Sequence, residues 1–560
     1  MAEQYDLLIR GGTLVDGTGA PARRADLAVR AGRIAAIGDV RGTAARTIDA
    51  EGAVVAPGFV DIHTHYDAQV FWDRMLSISP WHGVTSVVMG NCGFAVAPTR
   101  PAHRDLILRT LENVEGMSLD ALREGLGAAW PFETIPEYLD VIERRGSAIN
   151  IAALVGHTAV RLYVMGEEAT ERAATAAEIA AMRALVLEGL RAGGIGFASS
   201  HSPTHVGYAG RPVPSRAATV EEIVELASTL AEVPHGVTQV TIGPGFFLDE
   251  LAEIQRRSGK PVSWTALLGG MLGPEGHRYV LQRSAKLQAD GVPVIPQVSC
   301  RPLMFEFQFK APFPLETMAL FKPVSAADRE GKKRIYADPE FRRALREEPG
   351  GGLLGGPLAD AIIAEFAPEP ALEERRLRDV AAERGVHPID LALDFALATD
   401  LEARFRLGIL NTDEAIVAEL LTHPASMIGL SDAGAHASQL CDAGAPTELL
   451  GHWVRDKGVL TLEEAVRRLT SQPADVFGIQ ERGRLMAGLA ADVVVFDPHT
   501  IGCGRLRRVR DFPAGADRLV ADASGIRTVI VNGTVIRQEG RDALPADGPL
   551  PGRLLRGGRA

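Results

Sequence analysis

Two histidines one residue apart, His63 and His65, end the apolar run Phe59-Val60-Asp61-Ile62. In a strand, successive side chains alternate in direction, so positions two apart face the same side. Two imidazoles converging from a strand end supply half of a divalent-metal site, because neutral imidazole nitrogen suits zinc and its transition-series neighbours. A bare His-x-His is a short pattern. Its surroundings give it weight: Ala56-Pro57-Gly58 precedes the run, Asp61 stands two residues before His63, and Tyr66-Asp67-Ala68-Gln69 follows.

The elements that must position this pair read as alternating strands and helices. After the first strand, β-rich apolar runs fall at residues 85–90, 149–157, 195–198, 237–242, 261–265, 292–298 and 427–432. Capping boxes at Thr175/Glu178, Thr219/Glu222 and Thr461/Glu464 open helices between or after them. Eight strands in βα order predict an α/β fold with a closed (β/α)8 barrel, whose active site lies at the C-terminal strand ends. The metal-capable or polar side chains that fall there are His63, His65, Cys92, His157, Ser200, His201, His205, Arg301, Asp432 and His436.

Both ends of the chain read differently. Strand-like runs within residues 1–57 and again within 480–540 are broken by Gly-Gly, Asp-Gly and Asn-Gly turns. Together they predict one small β-sandwich built from both termini around a barrel spanning 58–479. An irregular stretch at about 303–370 is too long for a plain connector and is expected to lie over the site as a lid. The Pro-, Gly- and Arg-rich tail 541–560 is expected to be poorly ordered.

Bulk properties exclude other classes. The 560 residues, 46% hydrophobic, can bury one large core and a second smaller one. A net charge of -12 argues against nucleic acid as a partner. No apolar run reaches the roughly 20 residues of a membrane span, and no signal peptide is visible in Met1-Ala2-Glu3-Gln4-Tyr5-Asp6. Four cysteines, Cys92, Cys300, Cys441 and Cys503, make no disulfide framework in so long a chain. The expectation is a cytoplasmic enzyme of small molecules, of a size and class that often self-associates.

Ala56-Pro57-Gly58-Phe59-Val60-Asp61-Ile62-His63-Thr64-His65 resembles the first-strand motif of the amidohydrolase superfamily, metal-dependent hydrolases built on a (β/α)8 barrel. Met89-Gly90-Asn91-Cys92-Gly93 resembles the cysteine-bearing motif of its N-acyl-D-amino-acid deacylase branch, and Gly429-Leu430-Ser431-Asp432-Ala433-Gly434 the last-strand aspartate. The resemblance runs to about residue 498. It implies a divalent metal, most simply one or two Zn2+ ions, held by His63, His65, Cys92 and Asp432. It also implies that Asp432 moves the proton from water to the leaving nitrogen while an N-acyl compound is deacylated. The position of Cys92 after Val87-Val88-Met89-Gly90-Asn91 at a strand end favours it as a ligand, the alternative being a small buried hydrophobe.

One departure stands out. The deacylase pattern puts a metal-binding histidine at the end of the fifth and of the sixth strand. Here Gln239-Val240-Thr241-Ile242 and Val262-Ser263-Trp264-Thr265 hold none. His157, His201 and His205 are candidates to complete the coordination or to bind substrate, as His436 is for substrate. Arg301 could grip a substrate carboxylate, or else make a surface salt bridge. Phe305, Phe307, Phe309, Phe313 and Phe321 could line an acyl pocket or simply pack a core. His82, His103, His277, His387 and His452 are read as structural. Two rival functions remain: a cyclic amide or imide hydrolase of the dihydropyrimidinase or hydantoinase kind, and a metal-free barrel acting as a binding protein. Against the first, Phe197-Ala198-Ser199-Ser200 offers no lysine where two-metal enzymes of that kind carry a carbamylated one.

Overall fold

The structure is a computed structural model that describes residues 3–316, 318–347 and 358–560. The part of the expected lid at 348–357 lies outside the described residues, as do Met1 and Ala2.

Eight short strands run parallel: β1 (Phe59–Asp61), β2 (Val84–Met89), β3 (Asn150–Gly156), β4 (Gly196–Ser200), β5 (Val237–Thr241), β6 (Val262–Thr265), β7 (Val294–Val298) and β8 (Met427–Ile428). Each pairs with its neighbour in chain order, apart from β1 with β8. There a parallel bridge between Thr64 and Ala433 joins the two strand exits. The result is the expected TIM-type barrel. The strands are buried on both faces, as a parallel sheet covered by helices requires, and they carry buried polar residues such as Gln239, Ser263 and Gln297 among the apolar ones. Its interior is filled by Val60, Ile62, Val88, Leu154, Ile295 and Met427.

Helices pack outside. Four matter to the site: α1 (Arg104–Glu115), α2 (His157–Met165), α3 (Ala176–Arg191) and α4 (Val220–Ala227). Thr175 and Glu178 form a full capping box on α3. On α4, Thr219 accepts the Glu222 N–H, but the Glu222 carboxylate turns inward to other partners.

The two ends of the chain meet in a second sheet of nine strands. Val54–Pro57 lies antiparallel to Val493–Phe496, with Val55 opposite Val495, and this seam joins the N-terminal strands to those after residue 492.

Two expectations are corrected. The stretch between β7 and β8 is larger than 303–370 and is compact: Leu303–Gln308, Ile362–Glu365 and Arg404–Leu410 form a three-stranded sheet over their own core. Phe307, Phe309 and Phe321 belong to that core and so line no acyl pocket. The tail is not loose either. Leu554 and Leu555 are buried, the Leu555 N–H donates to Ile151 O at 2.7 Å, and Leu555 joins the barrel interior. Burying two leucines outweighs the Pro and Gly content that suggested disorder.

Candidate metal centre

The first strand hands over to the site through a clamp. The Ser431 hydroxyl donates to Asp61 Oδ2 at 2.5 Å and lies 3.0 Å from His63 O, while the His63 N–H donates to Asp61 Oδ1 at 3.2 Å. Next door the Thr64 N–H reaches Val88 O and the His65 N–H reaches Ala433 O. The exit of β1 is thereby fixed against both β2 and β8. Burial pushes the Asp61 carboxyl up to about 6, against the bonds from Ser431 and His63.

Backbone strain concentrates here. Cys92 (φ 57°), Leu430 (φ 62°), Asp432 (φ 44°) and His436 (φ 49°) all adopt the left-handed region that non-glycine residues avoid. Such residues persist only where the surroundings over-determine them, and they gather at functional sites. At Gly434 (φ 92°) a Cβ would sit 2.7 Å from His65 O, so only glycine lets the β8 loop pass this closely.

Four side chains converge. His63 Nε2 lies 3.2 Å and His65 Nε2 3.7 Å from Asp432 Oδ1. Cys92 Sγ lies 3.5 Å from His63 Nε2. The donor atoms of His63, His65 and Cys92 all fall within 4.8 Å of one another. Ligands about 2.0–2.3 Å from one tetrahedral zinc stand roughly 3.3–3.8 Å apart, so this spacing fits a shared cation. The chemistry fits too: a thiol and a carboxylate, buried or nearly so, need positive charge beside them. Burial raises the Cys92 thiol, but His63 and His65 overcome it and bring it down to about 7. Among the described residues no other cluster of three His, Cys, Asp or Glu has metal-ligand spacing.

Each imidazole is oriented from behind. His63 Nδ1 is 2.9 Å from Gln297 Oε1 on β7, whose amide in turn donates to Ser263 Oγ at 2.8 Å. His65 Nδ1 is 3.1 Å from Glu115 Oε1, a buried carboxylate at the end of α1. Partners of this kind fix tautomer and ring angle and leave Nε2 for a metal. Sequence reasoning missed both. Gln297 was findable as a polar residue inside a buried strand; Glu115 carried no local signal.

The ends of β5 and β6 are filled by neutral groups. Gln239 Oε1 accepts the Cys92 N–H at 2.6 Å and its Nε2 lies 3.4 Å from Thr265 Oγ1, which is 3.0 Å from Thr241 Oγ1.

The remaining candidates divide. His205 lies beside the cluster: Nδ1 is 2.6 Å from Ser200 Oγ, and its ring is 5.0 Å from Phe94, itself 6.3 Å from the His65 ring. Burial, with the charges of His436 and His65, pushes it down to about 3. His436 packs edge-on against Phe305 at 5.3 Å, and burial lowers its pKa. His201 stands edge-on to Phe246 at 5.9 Å.

His157 is a correction. It starts α2 and turns behind the barrel, fully buried, with Nδ1 2.8 Å from Ser199 Oγ and Nε2 3.0 Å from Glu222 Oε1, beside the Arg161–Glu222 ion pair. Arg301 is another: its Nε is 2.9 Å from Asp442 Oδ1 and its Nη1 3.1 Å from Cys503 Sγ, so its charge is already matched. His82, His277, His387 and His452 are each held by a structural hydrogen bond, whereas His103 Nδ1 is buried without one.

Residues 46–332 and 357–537 match the amidohydrolase family. The D-aminoacylase of Alcaligenes xylosoxydans xylosoxydans is 34% identical over 541 residues, 96% of each chain. A solved N-acyl-D-glutamate deacylase from Bordetella bronchiseptica, complexed with zinc and a phosphonate mimic of the tetrahedral intermediate, superposes with a TM-score of 0.67 at 29% identity, covering 99% of this chain and 100% of that one. A D-aminoacylase structure described as having a binuclear metal centre, with one-metal activation and second-metal attenuation, gives a TM-score of 0.66 at 28% identity, covering 98% and 99%. The chain belongs to the amidohydrolase family.

Proposed function

We propose that the protein is a metal-dependent deacylase that hydrolyses the amide bond of N-acyl-D-amino acids. The observation that carries this is the convergence of His63, His65, Cys92 and Asp432 at one end of the barrel. When bound there, a divalent cation such as zinc supplies a Lewis acid for a carbonyl oxygen and lowers the pKa of water toward about 7.

The chain's own residues do the rest. Asp432 is mostly buried, its side chain 21% exposed, and burial, which raises its carboxyl, is outweighed by the His65 bond and the charges of both histidines, so it stays ionised. It takes the proton of the water that attacks the acyl carbon. As the carbon–nitrogen bond breaks, it returns that proton to the departing amine. Gln297 and Glu115 keep the imidazoles aimed while charge shifts. His205 and His436, both at the rim, are positioned to contact substrate.

We read the centre as holding one cation, because β5 and β6 offer only Gln239, Thr241 and Thr265. The net charge of -12 agrees with a small-molecule substrate rather than nucleic acid, and we place the enzyme in the cytoplasm. Among the described residues, no helix is long and apolar enough to cross a membrane.

Metal analysis combined with a substrate panel tests the reading. About one equivalent of metal, with hydrolysis of N-acetyl-D-amino acids and none of hydantoin or dihydrouracil, is the expected result. Turnover of the cyclic amides alone would replace the deacylase with a hydantoinase-like enzyme, and metal-free protein inert even with added zinc would leave a binding protein.

A further inference from the structure

The loop after β4 carries a cation that no carboxylate among the described residues neutralises. Arg216 is only partly exposed, yet among the described residues no carboxylate lies within ion-pair distance of its guanidinium. Its one hydrogen bond, from Nη1 to His205 O at 2.9 Å, takes one of five N–H donors. Desolvating a guanidinium without an anion is costly, and burial lowers the Arg216 pKa with no opposing acid. Arg301 shows the contrast: equally near the barrel mouth in sequence expectation, it is matched by Asp442 at 2.9 Å.

A second, independent feature points the same way. His201 Nδ1 is buried and has no hydrogen-bond partner, although its backbone N–H is secured to Thr241 O at 2.9 Å. The Arg216 charge acts on this ring, adding to burial in lowering its pKa. The position relative to the chemistry is set by contacts. Arg216 holds the backbone of His205, the His205 ring packs on Phe94, and Phe94 packs on His65 of the metal cluster.

We infer that Arg216, with His201 beside it, binds the carboxylate of the substrate's amino-acid part and so selects N-acyl amino acids over their neutral analogues. A planar guanidinium with free paired N–H groups suits a carboxylate bidentately, and a buried imidazole nitrogen lacking a partner gains one when the anion arrives. Arg216 is then a specificity-determining residue, separate from the metal donors and from Asp432. The inference rests on the deacylase reading, because the acyl bond must reach the metal cluster while the carboxylate reaches this loop.

The test compares N-acetyl-D-leucine with its carboxamide, by turnover and by calorimetric binding, in wild type, Arg216→Met and Arg216→Lys. In Arg216→Met the KM and Kd for the carboxylate should rise about 10- to 100-fold, the scale of losing hydrogen bonds to a charged group. For the carboxamide they should change less than about twofold, and kcat should hold within about threefold for both. Arg216→Lys should recover part of the carboxylate affinity, and unchanged melting temperatures show that both variants fold. Equal losses for carboxylate and carboxamide, or no loss for either, would overturn the assignment. If wild type turns over neither compound, the deacylase reading falls. Binding then still decides the role of Arg216, which fails if wild type does not prefer the carboxylate.

Discussion

On one side of the barrel mouth, the exits of β1, β2 and β8 bring together two imidazoles, a thiol and a carboxylate. Across the barrel, β5 and β6 present Gln239, Thr241 and Thr265, which satisfy one another and the Cys92 N–H with neutral hydrogen bonds. The two halves belong to one parallel barrel and have opposite electrostatic needs. A buried thiol beside a partly buried carboxylate asks for a cation, whereas a closed amide–hydroxyl network asks for nothing. A relative of the same fold, a D-aminoacylase, is described with a binuclear centre. If the centre holds one cation as proposed, metal number is set by a few strand-end side chains and not by the barrel.

The largest effect should come from the charged half. Asp432→Asn keeps volume and fold but removes the proton carrier, so kcat/KM should drop by about 10^3, within the usual range for general acid–base groups. Steady-state kinetics alongside metal analysis decide it, and activity within about tenfold of wild type would strip Asp432 of that role. Next comes the carboxylate behind His65. Glu115→Gln should weaken metal affinity by about 10- to 100-fold, read by competition with a chelator. An unchanged affinity would mean that the 3.1 Å approach of Glu115 to His65 Nδ1 orients nothing.

The neutral half should respond in a different currency. Gln239→Leu leaves the buried Cys92 N–H unpaired and should cost about 2 kcal/mol of unfolding free energy. Bound metal should stay at about one equivalent. A loss of metal in this variant would break the contrast between the halves, since it would make β5 part of the centre.

Much of this was legible in the sequence, for an identifiable reason. Strand period and strand ends place His63, His65, Cys92 and Asp432 among ten strand-end candidates, the family resemblance singles out these four, and their side chains meet. His157 obeyed the same rule and misled, because its residue begins α2 and the chain turns away before the ring can enter the mouth. Its partner Glu222 was read correctly as a helix start at Thr219, yet its carboxylate serves His157 and Arg161 instead of the cap. The role of Glu115 and the unpaired charge of Arg216 were invisible. Glu115 is an acid on an ordinary amphipathic helix and Arg216 an arginine in a loop, and only tertiary packing tells which acids and bases are left with partners. The tail hid two leucines inside a composition typical of disorder.

The smallest effect concerns the scaffold behind the charged half, and it matters because acid unfolding would otherwise be mistaken for titration of the metal donors. His82 is fully buried, with Nε2 3.0 Å from Ala521 O and Nδ1 2.7 Å from Thr447 Oγ1. Burial pushes its pKa from 6.5 down to about 4. The unfolded chain therefore binds a proton at this histidine between pH 6.5 and 4 that the folded chain refuses, and stability falls as pH drops through that window. At pH 5.5, one unit below the unfolded value, the penalty is about 1.4 kcal/mol. His82→Gln cannot take up that proton, so its stability should fall about 1.4 kcal/mol less than that of wild type between pH 7.5 and 5.5, measured by denaturant unfolding at both values. Parallel pH dependences in the two proteins would assign the acid limb to other groups, with Asp61 and the metal donors the first to examine.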